Sequence, residues 1–318
     1  MSQPRRAVFG WIGLVLLVLG LGLATLASDP ARLLAIAVAQ ERGAGGLELQ
    51  TMQWEQHSIT YLRGGAAGGE PVVLLHGFAA DKDNWTRFSK HMKAAGYAVV
   101  VPDLPGHGVS SRLPEHTYAI SNQVAFVAAL ADHLALDTFH IAGNSMGGQI
   151  SAAFAAKHPE RVRSLGLFNA GGVTSPVPSE RTRILMETGT NPLLVNDLED
   201  FDRLLSFVFV QPPSLPRVVK RFFANRAVES RPFNDKIWGD ISGENYQPLE
   251  PHLASITART LVLWGDGDRV LHPSGADVFA AGIPDSRTVI MEKMGHSPMI
   301  ERPADTAAIY IHFLGDGG

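Results

Sequence analysis

Four short segments of this chain carry residue types that together could activate a hydroxyl group for attack on a carbonyl. The first is Gly143-Asn144-Ser145-Met146-Gly147, which follows an apolar run at 139–142 and leads into a helical stretch from Gln149. Between a strand and a helix, Gly-x-Ser-x-Gly makes a sharp, strained turn that lifts the serine hydroxyl off the sheet, with glycines where larger side chains would collide. A serine hydroxyl attacks poorly until a base takes its proton. Among twelve histidines, His296 in Gly295-His296-Ser297 is best placed, directly after the last expected strand at 287–291. The chain order nucleophile, acid, histidine puts the base there. The acid that would hold the imidazole lies in Trp264-Gly265-Asp266-Gly267-Asp268-Arg269, which offers two aspartates. Charge developing on the carbonyl oxygen needs two N–H donors. Met146, next after the serine, supplies one; Phe78 in His76-Gly77-Phe78, after a strand at 72–75, supplies the other, with His76 itself structural.

These segments need a sheet to bring them together. From Pro71 onward, short apolar strands (72–75, 98–101, 139–142, 165–168, 260–263 and 287–291) alternate with helical stretches at 85–95, 120–136, 149–157 and 304–314. Continuous apolar strands between helices predict a mostly parallel sheet covered on both faces. Upstream, residues 47–54 and 58–62 read as two further strands. The glycine-rich stretch Gly64 to Gly69 lacks the Gly-Lys-Ser/Thr of a phosphate loop and reads as a hairpin turn. About ninety residues separate the strands ending near Ala170 and starting near Thr260, far more than a crossover needs. The excess contains proline and apolar helical pieces at 201–210 and 215–228 and reads as an inserted helical cap over 174–251. The hydrolytic core then comprises 43–173 and 252–318. In Val101-Pro102-Asp103-Leu104-Pro105-Gly106-His107-Gly108, Asp103 and His107 could suggest a metal pair, but the loop reads as a wall beside the serine turn. No set of three or four metal ligands is apparent, so neither metal nor cofactor is expected.

The net charge of −4, with 18% charged residues, argues against a nucleic-acid partner, which would need a basic patch. The absence of cysteine excludes disulfides and a thiol nucleophile. At the amino terminus, Arg5 and Arg6 precede an apolar run of 21 residues, 7–27, which as a helix would span roughly 31 Å, close to a bilayer's hydrocarbon thickness. Residues 1–28 read as a membrane anchor, with cleavage as a signal peptide near Thr25-Leu26-Ala27 as the alternative. A second apolar stretch, 31–39, is too short to span and is either an interfacial helix or the first helix of the domain; 43–46 then reads as a joint. The basic amino-terminal flank predicts a single-pass topology with the catalytic part outside the cytoplasm.

From residue 72 to 314 the chain resembles the alpha/beta-hydrolase superfamily. More narrowly, it is similar to membrane-anchored monoacylglycerol lipases related to alpha/beta-hydrolase domain-containing protein six, and to bacterial lipases. The likeness rests on Leu74-Leu75-His76-Gly77-Phe78 with Asp81-Lys82-Asp83-Asn84-Trp85, on Asn144-Ser145-Met146-Gly147-Gly148-Gln149, on Trp264-Gly265-Asp266-Gly267-Asp268, and on Gly295-His296-Ser297 with Glu301-Arg302-Pro303. Trp-Gly-x-x-Asp is the usual form of the acid segment in this fold. That selects Asp268 and leaves Asp266 as a turn residue. The resemblance implies a catalytic triad of Ser145, Asp268 and His296, and hydrolysis of an acyl ester of a lipid with glycerol or a similar alcohol leaving. Two other readings stay open. Carbon–carbon hydrolases of ring-cleavage products share Gly-Asn-Ser-Met-Gly-Gly, but they usually carry Trp after the catalytic histidine, where this chain has Ser297. A non-catalytic receptor of the same fold would usually lack a triad member.

Overall fold

The computed structural model describes residues 30–316. The expected anchor, 1–28, lies outside the described residues; among those described, no helix is long and apolar enough to cross a membrane.

A first helix, α1 (Pro30–Gly45), leads into the strands β1 (Glu48–Trp54), β2 (His57–Gly65) and β3 (Pro71–Leu75). Then follow α2 (Thr86–Ala94), β4 (Ala98–Pro102), α3 (Ile120–His133), β5 (Phe139–Asn144), α4 (Met146–Lys157) and β6 (Val162–Phe168). Three helices, α5 (Glu180–Thr188), α6 (Leu198–Val208) and α7 (Arg217–Ile241), separate β6 from β7 (Arg259–Gly265). The chain closes with α8 (Gly275–Gly282), β8 (Ser286–Met291), α9 (Pro298–Glu301) and α10 (Pro303–Gly315).

The strands form one sheet in the order β1-β2-β4-β3-β5-β6-β7-β8. β1 with β2, and β2 with β4, are antiparallel; every other pairing is parallel. Val72, Val73, Leu74 and Leu75 are all buried, as befits a central strand covered on both faces. On one face Phe126, Ile150, Phe154 and Phe279 pack against it from α3, α4 and α8. On the other, Phe88, Met92, Tyr310 and Phe313 do so from α2 and α10. β3 lies between β4 and β5, so the chain winds away from it in both directions. Ligand sites of open parallel sheets form outside the strand C-termini at such a point.

Three expectations are corrected. Gly64 to Gly69 is no hairpin turn, because β4 sits between β2 and β3; the hairpin is the preceding one, closing at Glu55 with φ of 51°. The joint at 43–46 is mostly helix: α1 runs to Gly45 and ends at Gly46, whose φ is +63°. It is docked by Arg42 on Asp83 (2.6 and 2.7 Å) and by Glu41 on Arg87 (2.7 Å). The helix expected at 215–228 continues to Ile241 through Pro232, which would ordinarily break it. Burial of Asn234, Ile237 and Ile241 shows that packing, not local propensity, carries its second half.

Candidate active site

Ser145 follows β5 immediately and precedes the first residue of α4, with φ 56° and ψ −118°. A side-chain-bearing residue pays for such a backbone, and its neighbours must over-determine it. Here Ser145 N–H donates to Phe168 O (3.1 Å), while Ser145 O accepts from Gly171 N–H (2.9 Å) and Gln149 N–H (3.1 Å). Both flanking glycines are required by close approach. A Cβ on Gly143 would lie 2.2 Å from the Gly147 carbonyl, and one on Gly147 would lie 2.3 Å from Leu75 O.

Asp268 sits in the loop after β7 and His296 in the loop after β8. His296 Nδ1–H donates to Asp268 Oδ2 at 2.8 Å, with the aspartate side chain wholly buried and the histidine nearly so. The carboxylate accepts three further bonds: Asn169 Nδ2 at 2.7 Å on Oδ2, and the N–H groups of Val270 (2.8 Å) and Leu271 (3.0 Å) on Oδ1. Four donors around a buried carboxylate fix its plane. Asp266, the competing residue, is exposed and accepts Met294 N–H at 3.3 Å.

The serine and histidine loops are joined through Asn144, whose Nδ2 donates to Phe168 O and to His296 O, both at 2.9 Å. The segment between β6 and β7 reaches the same loop: His296 N–H donates to Val208 O at 2.7 Å, and Glu301 accepts from Gly295 N–H (3.1 Å) and Gln211 N–H (2.7 Å). Ser145 Oγ itself makes no hydrogen bond among the described residues.

A Cβ on Gly77 would lie 3.2 Å from Ser145 Cβ, so the loop after β3 lies directly against the serine turn. Neither Phe78 N–H nor Met146 N–H donates a bond among the described residues. His76 orders this loop. Leu104 N–H donates to its Nε2 (3.0 Å), so the proton must be on Nδ1, which donates to Gly77 O (2.8 Å). Burial pushes its pKa down to about 4, so the ring is neutral. His107, at 5.2 Å ring to ring, is pushed down by burial to about 3. Asp103 is wholly committed to the wall loop: its carboxylate accepts Lys82 N–H and Nζ (both 2.8 Å) and Val109 N–H (2.9 Å). Among the described residues, no three His, Cys, Asp or Glu side chains are grouped to hold a metal.

Asn169, Asn144 and Glu301 are the site-forming residues that sequence reasoning left without a role. Asn169 had a readable signal: it directly follows β6, a strand end like those bearing the other groups, and its φ of 47° is one that asparagine tolerates better than most residues. Asn144 lay within the serine motif, but nothing local indicated that its amide reaches His296.

Residues 70–303 match the family described as the alpha/beta hydrolase fold. Lipase 3 of Moraxella sp. (strain TA144) is 36% identical over 280 residues, covering 87% of each chain. Monoacylglycerol lipase abhd6-B of Xenopus laevis is 31% identical over 298 residues, 90% of this chain and 87% of that one. Among solved structures, a membrane phospholipase A described as a bacterial virulence factor superposes with a TM-score of 0.88 at 43% identity, covering 98% of this chain and 99% of that one. With its mostly parallel sheet, helices on both faces and strand-end loops carrying Ser145, Asp268 and His296, this chain belongs to the alpha/beta hydrolase fold family.

Proposed function

We propose that this chain, a carboxylic ester hydrolase, cleaves acyl esters of lipids through an acyl-enzyme on Ser145, with monoacylglycerol-type esters as the substrate class. The observation that carries the reading is the His296–Asp268 contact of 2.8 Å beside a serine held at positive φ. In the first half-reaction His296 Nε2 takes the Ser145 proton as Oγ attacks the ester carbonyl. The N–H groups of Phe78 and Met146 receive the oxyanion, and His296 returns the proton to the departing alcohol. Water then repeats the sequence on the acyl-enzyme, releasing the fatty acid and restoring Ser145. Asp268 holds the Nδ1–H tautomer and stabilises the imidazolium. Relatives named as lipases and as monoacylglycerol lipases support the lipid-ester class.

In this reading the segment 174–251 is a cap over the site, supported by the Val208–His296 bond and by Trp238 packing on Phe78 at 5.5 Å. Residues 1–28 are a retained anchor that puts the catalytic part outside the cytoplasm, and α7, with Arg217, Lys220, Arg221 and Arg226 beside exposed Val218, rests on anionic headgroups. Ser145→Ala should lower ester turnover by several orders of magnitude, leave the fold intact and abolish labelling by a fluorophosphonate probe. A variant that is still labelled would put the nucleophile elsewhere.

A further inference from the structure

Arg181, in the first turn of α5, is fixed against the acid loop. Its backbone N–H donates to Arg269 O (3.0 Å), and its Nε donates to Val270 O (3.2 Å), two residues beyond Asp268. Its guanidinium carbon lies 5.2 Å from the centroid of the Trp238 ring, and that ring lies 5.5 Å from the ring of Phe78. The cation therefore sits one aromatic ring away from the loop whose amides border Ser145.

The nearby acids are already engaged. Glu180 forms a bidentate pair with Arg269, both contacts at 2.6 Å, and the Asp268 carboxylate takes its four donors from elsewhere. Arg181 forms no ion pair among the described residues. Apart from the Nε bond, its guanidinium has a 3.5 Å contact from Nη2 to Thr182 Oγ1, and Nη1 donates to nothing described. Nor is Nη1 one of the sealed, unpartnered side-chain atoms, so it opens onto accessible space. Burial pushes the guanidinium below its ordinary value while the Asp268 charge pulls it back up, and the group stays charged. A partly desolvated guanidinium with Nη1 open and no ion pair among the described residues is arranged for an anion that presents several oxygens.

We propose that Arg181 is the anion-recognition residue of this site and that the preferred lipid esters carry a phosphate on the glycerol beside the acyl ester. The inference rests on Ser145 acting as proposed above, and it refines the substrate. Glycerol places a phosphate only a few bonds from an acyl carbonyl, and the Arg181 cation is separated from the Phe78 loop by a single indole. Neutral monoacylglycerol would leave Nη1 facing water.

The test uses the full chain and two lipids that differ only in the phosphate, 1-palmitoylglycerol and 1-palmitoylglycerol-3-phosphate, in identical mixed micelles. Wild type should prefer the phosphorylated lipid. Arg181→Met should lower kcat/KM on it by ~10- to ~100-fold, mainly through KM, as expected for loss of a charged hydrogen bond, and should change the neutral lipid by less than about twofold. Arg181→Lys, which keeps the charge without the fork, should fall between. Because the readout is a ratio between two substrates, partial loss of folded protein cancels. Equal losses on both lipids would make Arg181 a positioning residue acting through the Val270 carbonyl and would overturn the proposal, as would wild-type indifference to the phosphate. Inorganic phosphate should leave neutral-lipid hydrolysis unchanged; inhibition would make the site one for free phosphate instead. Fluorophosphonate labelling of wild type, with Ser145→Ala as control, separates the two readings. Labelled Ser145 without phosphate preference refutes only the Arg181 assignment, whereas absence of labelling refutes both.

Discussion

Replacing Asn169 with alanine removes one of four hydrogen bonds to the Asp268 carboxylate, the one from Nδ2 at 2.7 Å on the oxygen that also accepts His296 Nδ1–H. Val270 and Leu271 still hold the other oxygen, at 2.8 and 3.0 Å, so the loop should keep its course while the shared oxygen gains freedom. A hydrogen bond to a charged group contributes about 1.5–3 kcal/mol. If the whole of it is felt as His296 becomes imidazolium, kcat falls by ~10- to ~150-fold. That is well short of the ~10⁴ expected when the acid itself is neutralised. Stability should fall as well, because Asn169 is fully buried at φ 47°, and alanine in the left-handed region costs about 1 kcal/mol. The isosteric change Asn169→Asp is more severe: two carboxylates in contact cannot both ionise, and a shared proton weakens the partner of His296. Turnover of a short-chain chromogenic ester should therefore rank wild type, then Asn169→Ala, then Asn169→Asp, with near-ultraviolet circular dichroism confirming that both variants are folded. A folded Asn169→Ala within about twofold of wild type, or an Asn169→Asp as active as Asn169→Ala, would refute this account of the acid.

Asp268→Asn should cost roughly 10⁴ in turnover by holding the wrong imidazole tautomer, whereas Asp266→Asn, at an exposed position, should cost little; a reversed order would mean that Asp266 is the acid. His76, with its pKa pushed down to about 4 from an ordinary 6.5, should stay neutral as the solution is acidified. The unfolded chain takes up this proton first, so the associated stability is complete above about pH 6.5 and is lost as pH falls toward 4, approaching ~3 kcal/mol. Nuclear magnetic resonance titration of the imidazole signals checks this, and an ordinary midpoint near 6.5 for His76 would contradict it. Deleting residues 1–27 should preserve hydrolysis of a soluble short-chain ester but depress that of a bilayer-embedded monoacylglycerol; equal retention of both would mean that the apolar run serves only as an address.

What the residues determined by themselves was local. Gly143 and Gly147 around Ser145 announce a turn that excludes a Cβ, and the distances of 2.2 and 2.3 Å from hypothetical Cβ atoms to backbone are the steric reason. Apolar runs such as 72–75 announce strands buried on both faces, and their alternation with helical stretches announces a parallel sheet whose loops collect at one edge. The choice between Asp266 and Asp268, two residues apart in one turn, needed the habits of a family, since neither local charge nor spacing separates them. The tertiary structure decided which loops meet. Asn169 reaches Asp268 across 99 residues and Asn144 reaches His296 across 152, contacts created by the order β5-β6-β7-β8, which no periodicity encodes. It likewise decided that β4 intervenes between β2 and β3 and that α7 continues past Pro232, because burial of distant side chains outweighs a local turn or breaker preference of a few kcal/mol. Arg181 illustrates the same limit. In the sequence it is one arginine on a short polar helix, and only the tertiary structure sets it between the ring of Trp238 and the Val270 carbonyl, with no ion pair among the described residues, beside the acid loop.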